Sequence, residues 1–200
     1  MKIICIERNY SASCTDNNIE PSFFMKPDTA LLRNNEAFYI PSFASDFRCN
    51  INFVVKSNRV AKAIKPRFVE RCFDEVGLAV NFETADVIEQ CYDARVSCDK
   101  ARCFDHSTAL SPQFMSVEQL GDVVDSTFCL KINEQVVVSM KVAELLITID
   151  RAVSYVSDFV TLKIGDLILM GQVEEGLKIC QGDKVEALLN DNVMLNFEIR

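Results

Sequence analysis

Two periodicities run through the chain. Phe128, Leu130 and Ile132 alternate with Thr127, Cys129 and Lys131, the period-two pattern of a half-buried strand. Asn133-Glu134 separates that run from Gln135-Val136-Val137-Val138, so the pattern predicts a hairpin. A type I′ turn needs positive φ at both central residues, and Glu134 there costs about 1 kcal/mol relative to glycine. Residues 51–56 and 166–170 read as further strands, as do residues 184–189 and 193–199, which Asn190-Asp191-Asn192 would join. Helical spacing is rarer. Ser116-Val117-Glu118-Gln119 has the form of a capping box, and Asp150 is placed to cap a helix with Val153, Val156, Phe159 and Val160 on one face. A third helix is predicted over residues 84–91. Together these elements predict an α+β chain that is mainly β, a sheet sandwich or rolled sheet with a few flanking helices and a C-terminal half made mostly of strands.

Composition narrows the function more than the fold. Of the 200 residues, 49% are hydrophobic and 25% charged, which excludes disordered and fibrous classes. Prolines at 21, 27, 41, 66 and 112 mark no linker and no repeat divides the chain, so residues 1–200 are expected to form a single domain. A net charge of -8 repels a phosphate backbone, and nucleic acid is excluded as a partner. Nine cysteines, an odd number without a Cys-x-x-Cys pair, read as reduced thiols. With no 18-residue apolar stretch and no signal sequence, the expectation is a soluble cytoplasmic protein without a membrane partner. Nucleophile-elbow, P-loop and dinucleotide fingerprints are absent. The chain has one histidine, His106, and 6 glycines.

Five stretches in order carry a resemblance. They are Ile4-Cys5-Ile6-Glu7-Arg8-Asn9-Tyr10, then Phe23-Phe24-Met25-Lys26-Pro27-Asp28-Thr29-Ala30-Leu31, Asp74-Glu75-Val76-Gly77-Leu78, Phe104-Asp105-His106-Ser107, and residues 155–171, which include Thr161-Leu162-Lys163-Ile164-Gly165-Asp166-Leu167-Ile168 and Gly171. Taken in register over nearly all of the chain, they resemble the fumarylacetoacetate hydrolase family of acylpyruvate hydrolases, isomerases and oxaloacetate decarboxylases. That resemblance implies a mixed β-roll with flanking helices, a homodimer, and Mg²⁺ or Mn²⁺ held by three carboxylates. Such an ion would chelate the oxygens of a dicarbonyl or enol substrate and stabilise the enolate formed in the reaction.

Set against the family pattern, this sequence departs at its centre. The family's Glu-x-Glu aligns with Asn50-Ile51-Asn52, beside the anchor Phe53-Val54-Val55-Lys56, and its third ligand, an aspartate, aligns with Asn81. The acid-base pair falls on Ser13 and Asp16, the lysine of a later element on Ala94, and the glutamine and asparagine before the last helix on Val138 and Lys141. Family glycines are replaced by Glu7, Arg95, Glu134 and Met140. Asp28, Asp74, Glu75, Glu83 and Asp86 are the acids left to supply a displaced carboxylate. Arg8, Tyr10, Lys26 and Gly171 resemble pocket positions suited to an anionic ligand, whereas Asp105 and His106 read as structural. The expectation is a pseudoenzyme with no metal cofactor, binding a small carboxylate or dicarbonyl metabolite or pairing with an active paralogue. The alternative is a divergent but active hydrolase or isomerase of acylpyruvate or 2-hydroxydienoate acids that uses Mg²⁺ or Mn²⁺.

Overall fold

The computed structural model describes residues 1–10, 19–171 and 176–200; Ser13 and Asp16 lie outside the described residues. Strands β1 (Ile3–Ile6), β2 (Phe23–Lys26), β3 (Leu31–Leu32), β4 (Phe47–Ser57) and β5 (Phe73–Thr84) come first. Helices α1 (Ala85–Ala94) and α2 (Asp99–Arg102), strands β6 (Thr108–Leu110) and β7 (Met115–Ser116) and helix α3 (Val117–Leu120) follow. The hairpin β8 (Thr127–Ile132) and β9 (Gln135–Lys141) precedes helix α4 (Ile149–Phe159). Strands β10 (Leu167–Leu169), β11 (Leu177–Lys178), β12 (Lys184–Leu189) and β13 (Asn192–Glu198) close the fold.

The larger sheet runs β2-β1-β10-β4-β5-β6-β3, with β11 added to β4 and β7 to β5. The smaller runs β13-β12-β8-β9. Alternation along the two long central strands separates two environments. Cys49, Ile51, Phe53 and Val55 of β4 and Val76, Leu78, Val80 and Phe82 of β5 belong to the main core. Phe128, Leu130, Val185 and Leu189 of the smaller sheet join it, as do Ile149, Ala152, Val153 and Val156 of α4. The other face carries a smaller apolar cluster that includes Ile3, Cys5, Val54, Ala79, Leu110 and Leu169. Because both faces are covered, β4 is buried at nine of its eleven residues and hides the two-face alternation of an exposed strand.

Left-handed residues mark the tight turns of the fold. Two of the four positions at which the resemblance predicts glycine have positive φ, Arg95 at 54° and Glu134 at 67°. With Asn133 at 51°, Glu134 completes the type I′ pattern predicted for the hairpin. Asn190 and Asp191, at 47° and 66°, turn β12 into β13 in the same way. The capping box forms as expected, with Ser116 Oγ accepting from Gln119 N–H and Gln119 Oε1 from Ser116 N–H.

Three expectations need correction. Asp150 lies inside α4, whose N-cap is Thr148, since Ile149 already turns its apolar side chain to the core. Phe159 does not share the buried face and is 62% exposed; it packs with Phe23 and Tyr155. Nor is strand content concentrated in the C-terminal half, because the two longest strands, β4 and β5, lie before residue 85.

Candidate functional site

The β4–β5 register sets Asn50 opposite Asn81, and the β5–β6 register sets Asn81 opposite Thr108. Strand alternation puts Asn52 and Glu83 on the same face. All three positions where the resemblance predicts a carboxylate therefore meet on one side of the central sheet as amides, at 2%, 0% and 4% exposure for Asn50, Asn52 and Asn81. Their hydrogen bonds are largely internal. Asn50 Nδ2 donates to Glu83 Oε1 at 3.2 Å, and Asn52 Nδ2 to the Asn50 carbonyl at 3.2 Å. Thr108 Oγ1 donates to Asn81 Oδ1 at 2.7 Å. The Asn81 amide reaches Cys5 Sγ at 3.9 Å, a weak contact. Asn52 Oδ1 is buried with no hydrogen-bond partner among the described residues. Backbone crowds this group, since a Cβ on Gly176 would come within 3.0 Å of Asn50 Nδ2 and 3.2 Å of Glu83 Oε1.

Lys26 supplies a buried ammonium group, 4% exposed, that donates to the Ser107 carbonyl at 2.8 Å and to Ser107 Oγ at 3.2 Å. Burial lowers its pKa to about 8, against the opposing pull of Cys5, Cys103 and Glu83. Burial likewise pushes the Cys5 thiol up to about 11, with Lys26 acting in the opposite sense. Ser107 also accepts from Phe82 N–H, so one segment anchors Lys26 through Ser107 and Asn81 through Thr108. This gives the Phe104-Asp105-His106-Ser107 stretch a structural reason. Sequence reasoning gave Ser107 no role beyond the Phe104-Asp105-His106-Ser107 stretch and passed over Thr108, because a serine and a threonine at the start of a short strand carry no spacing signal.

The remaining predicted pocket residues do not gather around Lys26. Tyr10 and Gly171 touch each other: a Cβ on Gly171, where φ is +146°, would lie 2.8 Å from Tyr10 Cε2 and 2.6 Å from Asn9 Cβ. Tyr10 packs its ring edge-on to Phe128 with centroids 5.9 Å apart, and its hydroxyl is buried without a partner among the described residues. Arg8 is exposed. Asn9, which the sequence did not single out, donates to the carbonyls of Ile147 and Met170 and accepts from Ile147 N–H.

Of the acids considered as displaced ligands, Glu83 alone touches the asparagine group. Asp86 accepts from Ser45 N–H and Oγ, Glu75 pairs with Lys56, and Asp28 and Asp74 are exposed. Among the described residues, no group of three or more histidine, cysteine, aspartate and glutamate side chains is placed to hold a metal ion. His106 lines a separate cavity of about 770 Å³ with Leu32, Tyr39, Phe197 and Arg200, and none of the predicted site residues lines it. No helix among the described residues is long and apolar enough to cross a membrane.

The family model of the fumarylacetoacetate (FAA) hydrolase C-terminal domain matches residues 2–199. The chain belongs to the fumarylacetoacetate hydrolase family. Within that family it is 26% identical over 188 residues to oxaloacetate tautomerase YcgM of Escherichia coli K12, covering 92% of this chain and 86% of YcgM. It is 25% identical over 202 residues to the mitochondrial oxaloacetate tautomerase FAHD1 of Mus musculus, covering 99% and 91%. The crystal structure of fumarylpyruvate hydrolase from Pseudomonas aeruginosa, in complex with Mn²⁺ and pyruvate, superposes with a TM-score of 0.89 at 18% identity, covering 100% of this chain and 90% of that one. The mainly β architecture read from the sequence is thus the fold of the fumarylacetoacetate hydrolase family.

Proposed function

We propose that this member of the family has given up divalent-metal catalysis and binds a small carboxylate or dicarbonyl metabolite without a metal, as a homodimer. The observation that carries this reading is the meeting of Asn50, Asn52 and Asn81 on one face. Mg²⁺ needs one or two carboxylates to offset its dehydration, and Mn²⁺ favours the same oxygen donors. Three neutral amides and the single carboxylate of Glu83, already accepting from Asn50, do not fit that requirement. No metal-dependent step is therefore derived for this chain. Lys26 supports an anionic ligand, because an ammonium group buried near the asparagine group gains from a negative partner.

A working tautomerase, hydrolase or isomerase is the second reading. It is favoured by the buried Glu83 carboxylate beside Asn50 and by the activity in the names of the two tautomerase relatives.

Metal analysis of the purified protein, combined with assays of oxaloacetate tautomerisation and fumarylpyruvate hydrolysis, separates the two. The expected result is neither stoichiometric Mn²⁺ or Mg²⁺ nor turnover, with thermal stabilisation by at least one small oxo acid. A ligand at 100 times its Kd adds about 2.7 kcal/mol to stability. Stoichiometric metal accompanied by turnover would overturn the proposal in favour of the second reading.

A further inference from the structure

Helix α1 ends where the chain doubles back on itself. Arg95 takes left-handed φ, its N–H donates to the Tyr92 carbonyl at 3.1 Å, and Val96 N–H donates to the Cys91 carbonyl at 3.0 Å. This turn returns Cys98, the residue before α2, to the last turn of α1. Cys91 is fully buried in a small apolar cluster with Val87 and Ala101, and the partly buried Cys98 packs against that cluster. Cys91 is near enough to be one of the groups that hold the Cys98 thiol above its ordinary range.

We propose that Cys91 and Cys98 are a modification site, a thiol pair that hydroperoxides convert reversibly to a disulfide. Partial exposure makes Cys98 the attacking sulfur. As thiolate it attacks one peroxide oxygen, the O–O bond breaks, and the departing oxygen takes a proton. The Cys98 sulfenic acid so formed is attacked by the Cys91 sulfur; the S–O bond breaks, and the hydroxyl leaves as water with the Cys91 proton. Two thiols lose two electrons and hydrogen peroxide is reduced to two waters. Burial holds the Cys98 thiol above its ordinary range while Arg102 pulls it down, so the reaction quickens as pH rises.

The bond would reach beyond the turn. It closes the loop of residues 92–97 and fixes the start of α2. That helix carries Arg102, whose guanidinium pairs with Glu7 at 2.7 Å, donates to Tyr92 Oη at 3.2 Å and lies over the Phe24 ring. Oxidation therefore restrains the segment that ties α2 to Glu7, just after β1, and to Phe24 of β2. This inference is independent of whether the asparagine site binds a ligand.

The test treats the full chain with hydrogen peroxide, blocks free thiols, digests with trypsin without reduction and maps linked peptides by mass spectrometry. Cleavage after Arg95 and Lys100 frees a 96–100 peptide holding Cys98, while Cys91 stays with Cys72 in the peptide 72–95. Fragmentation of the linked product should place the bond on Cys91, and the yield at fixed time should rise between pH 7 and pH 9. Dithiothreitol should reverse the link, Cys98→Ser should abolish it, and Cys72→Ser should leave it intact. Native oxidised protein should also be cut more slowly at Arg95 than reduced protein, with no such difference in Cys98→Ser. A free 96–100 peptide after oxidation, or its attachment to Cys72 or Cys103, would overturn the proposal.

Discussion

Asn50 and Glu83 share a hydrogen bond in which the amide donates and the carboxylate accepts, so the acid beside the candidate site is held by one of the residues that stand where metal ligands are expected. Replacing Asn50 and Asn52 by glutamate and Asn81 by aspartate places three carboxylates on this buried face. Without a cation they face one another and Glu83, and the triple variant should lose several kcal/mol of stability, about 3 or more, in the presence of a chelator. Added Mn²⁺ should restore much of that loss, whereas the parent chain should show no Mn²⁺-dependent shift. Thermal unfolding with EDTA and with Mn²⁺ checks both. Equal responses of the two proteins to Mn²⁺ would mean that these three side chains do not converge.

Backbone conformation predicts two substitutions of opposite sign. Gly171→Ala puts a Cβ within 2.6 Å of Asn9 Cβ at a φ of +146°, so overpacking and strain should together cost about 3 kcal/mol. Glu134→Gly relieves a left-handed glutamate in an exposed hairpin turn and should stabilise by up to about 1 kcal/mol. Urea unfolding of both variants measures the two values, and a stable Gly171→Ala protein would contradict the close approach of Asn9 and Tyr10.

Lys26 predicts a pH dependence with a definite sign. Its pKa falls to about 8 in the fold, from an ordinary value of 10.5. Below the folded value both states carry the proton and the penalty for burying the charge is fully present. Above it the native state is neutral while the unfolded chain stays protonated, so this residue's contribution to stability rises with pH from about 8 toward 10.5. The stability of the parent chain minus that of Lys26→Met should therefore increase between pH 7 and pH 10 in urea titrations. A flat difference would show that the ammonium is not buried as described.

Much of the fold was legible before any tertiary contact was known. Alternation located β8, apolar runs bounded by turn residues located β9, β12 and β13, and the turn residues Asn133-Glu134 and Asn190-Asp191 were identifiable because short hairpins demand positive φ. Strand β5 escaped that reading. Its buried run Val76–Phe82 is covered on both faces, and a strand so placed has no polar side to mark the period. Phe159 was misassigned for a related reason: helical spacing says which residues share a side, but the packing of Phe23 and Tyr155 decides where that side ends.

By itself, the sequence determined the family, the mainly β architecture and the presence of asparagine at positions 50, 52 and 81, since these depend on residue order and local backbone preference. Tertiary structure decided what those asparagines do. Strand register, which comes from pairing between segments distant in the chain, set Asn50 against Asn81 and Asn81 against Thr108. The same long-range packing placed Lys26 on Ser107 and separated it from the Tyr10–Gly171 contact, while the turn after α1 closed Cys98 onto the cluster that holds Cys91. Linear spacing carries none of these relations, because each joins residues brought together by turns and sheet pairing.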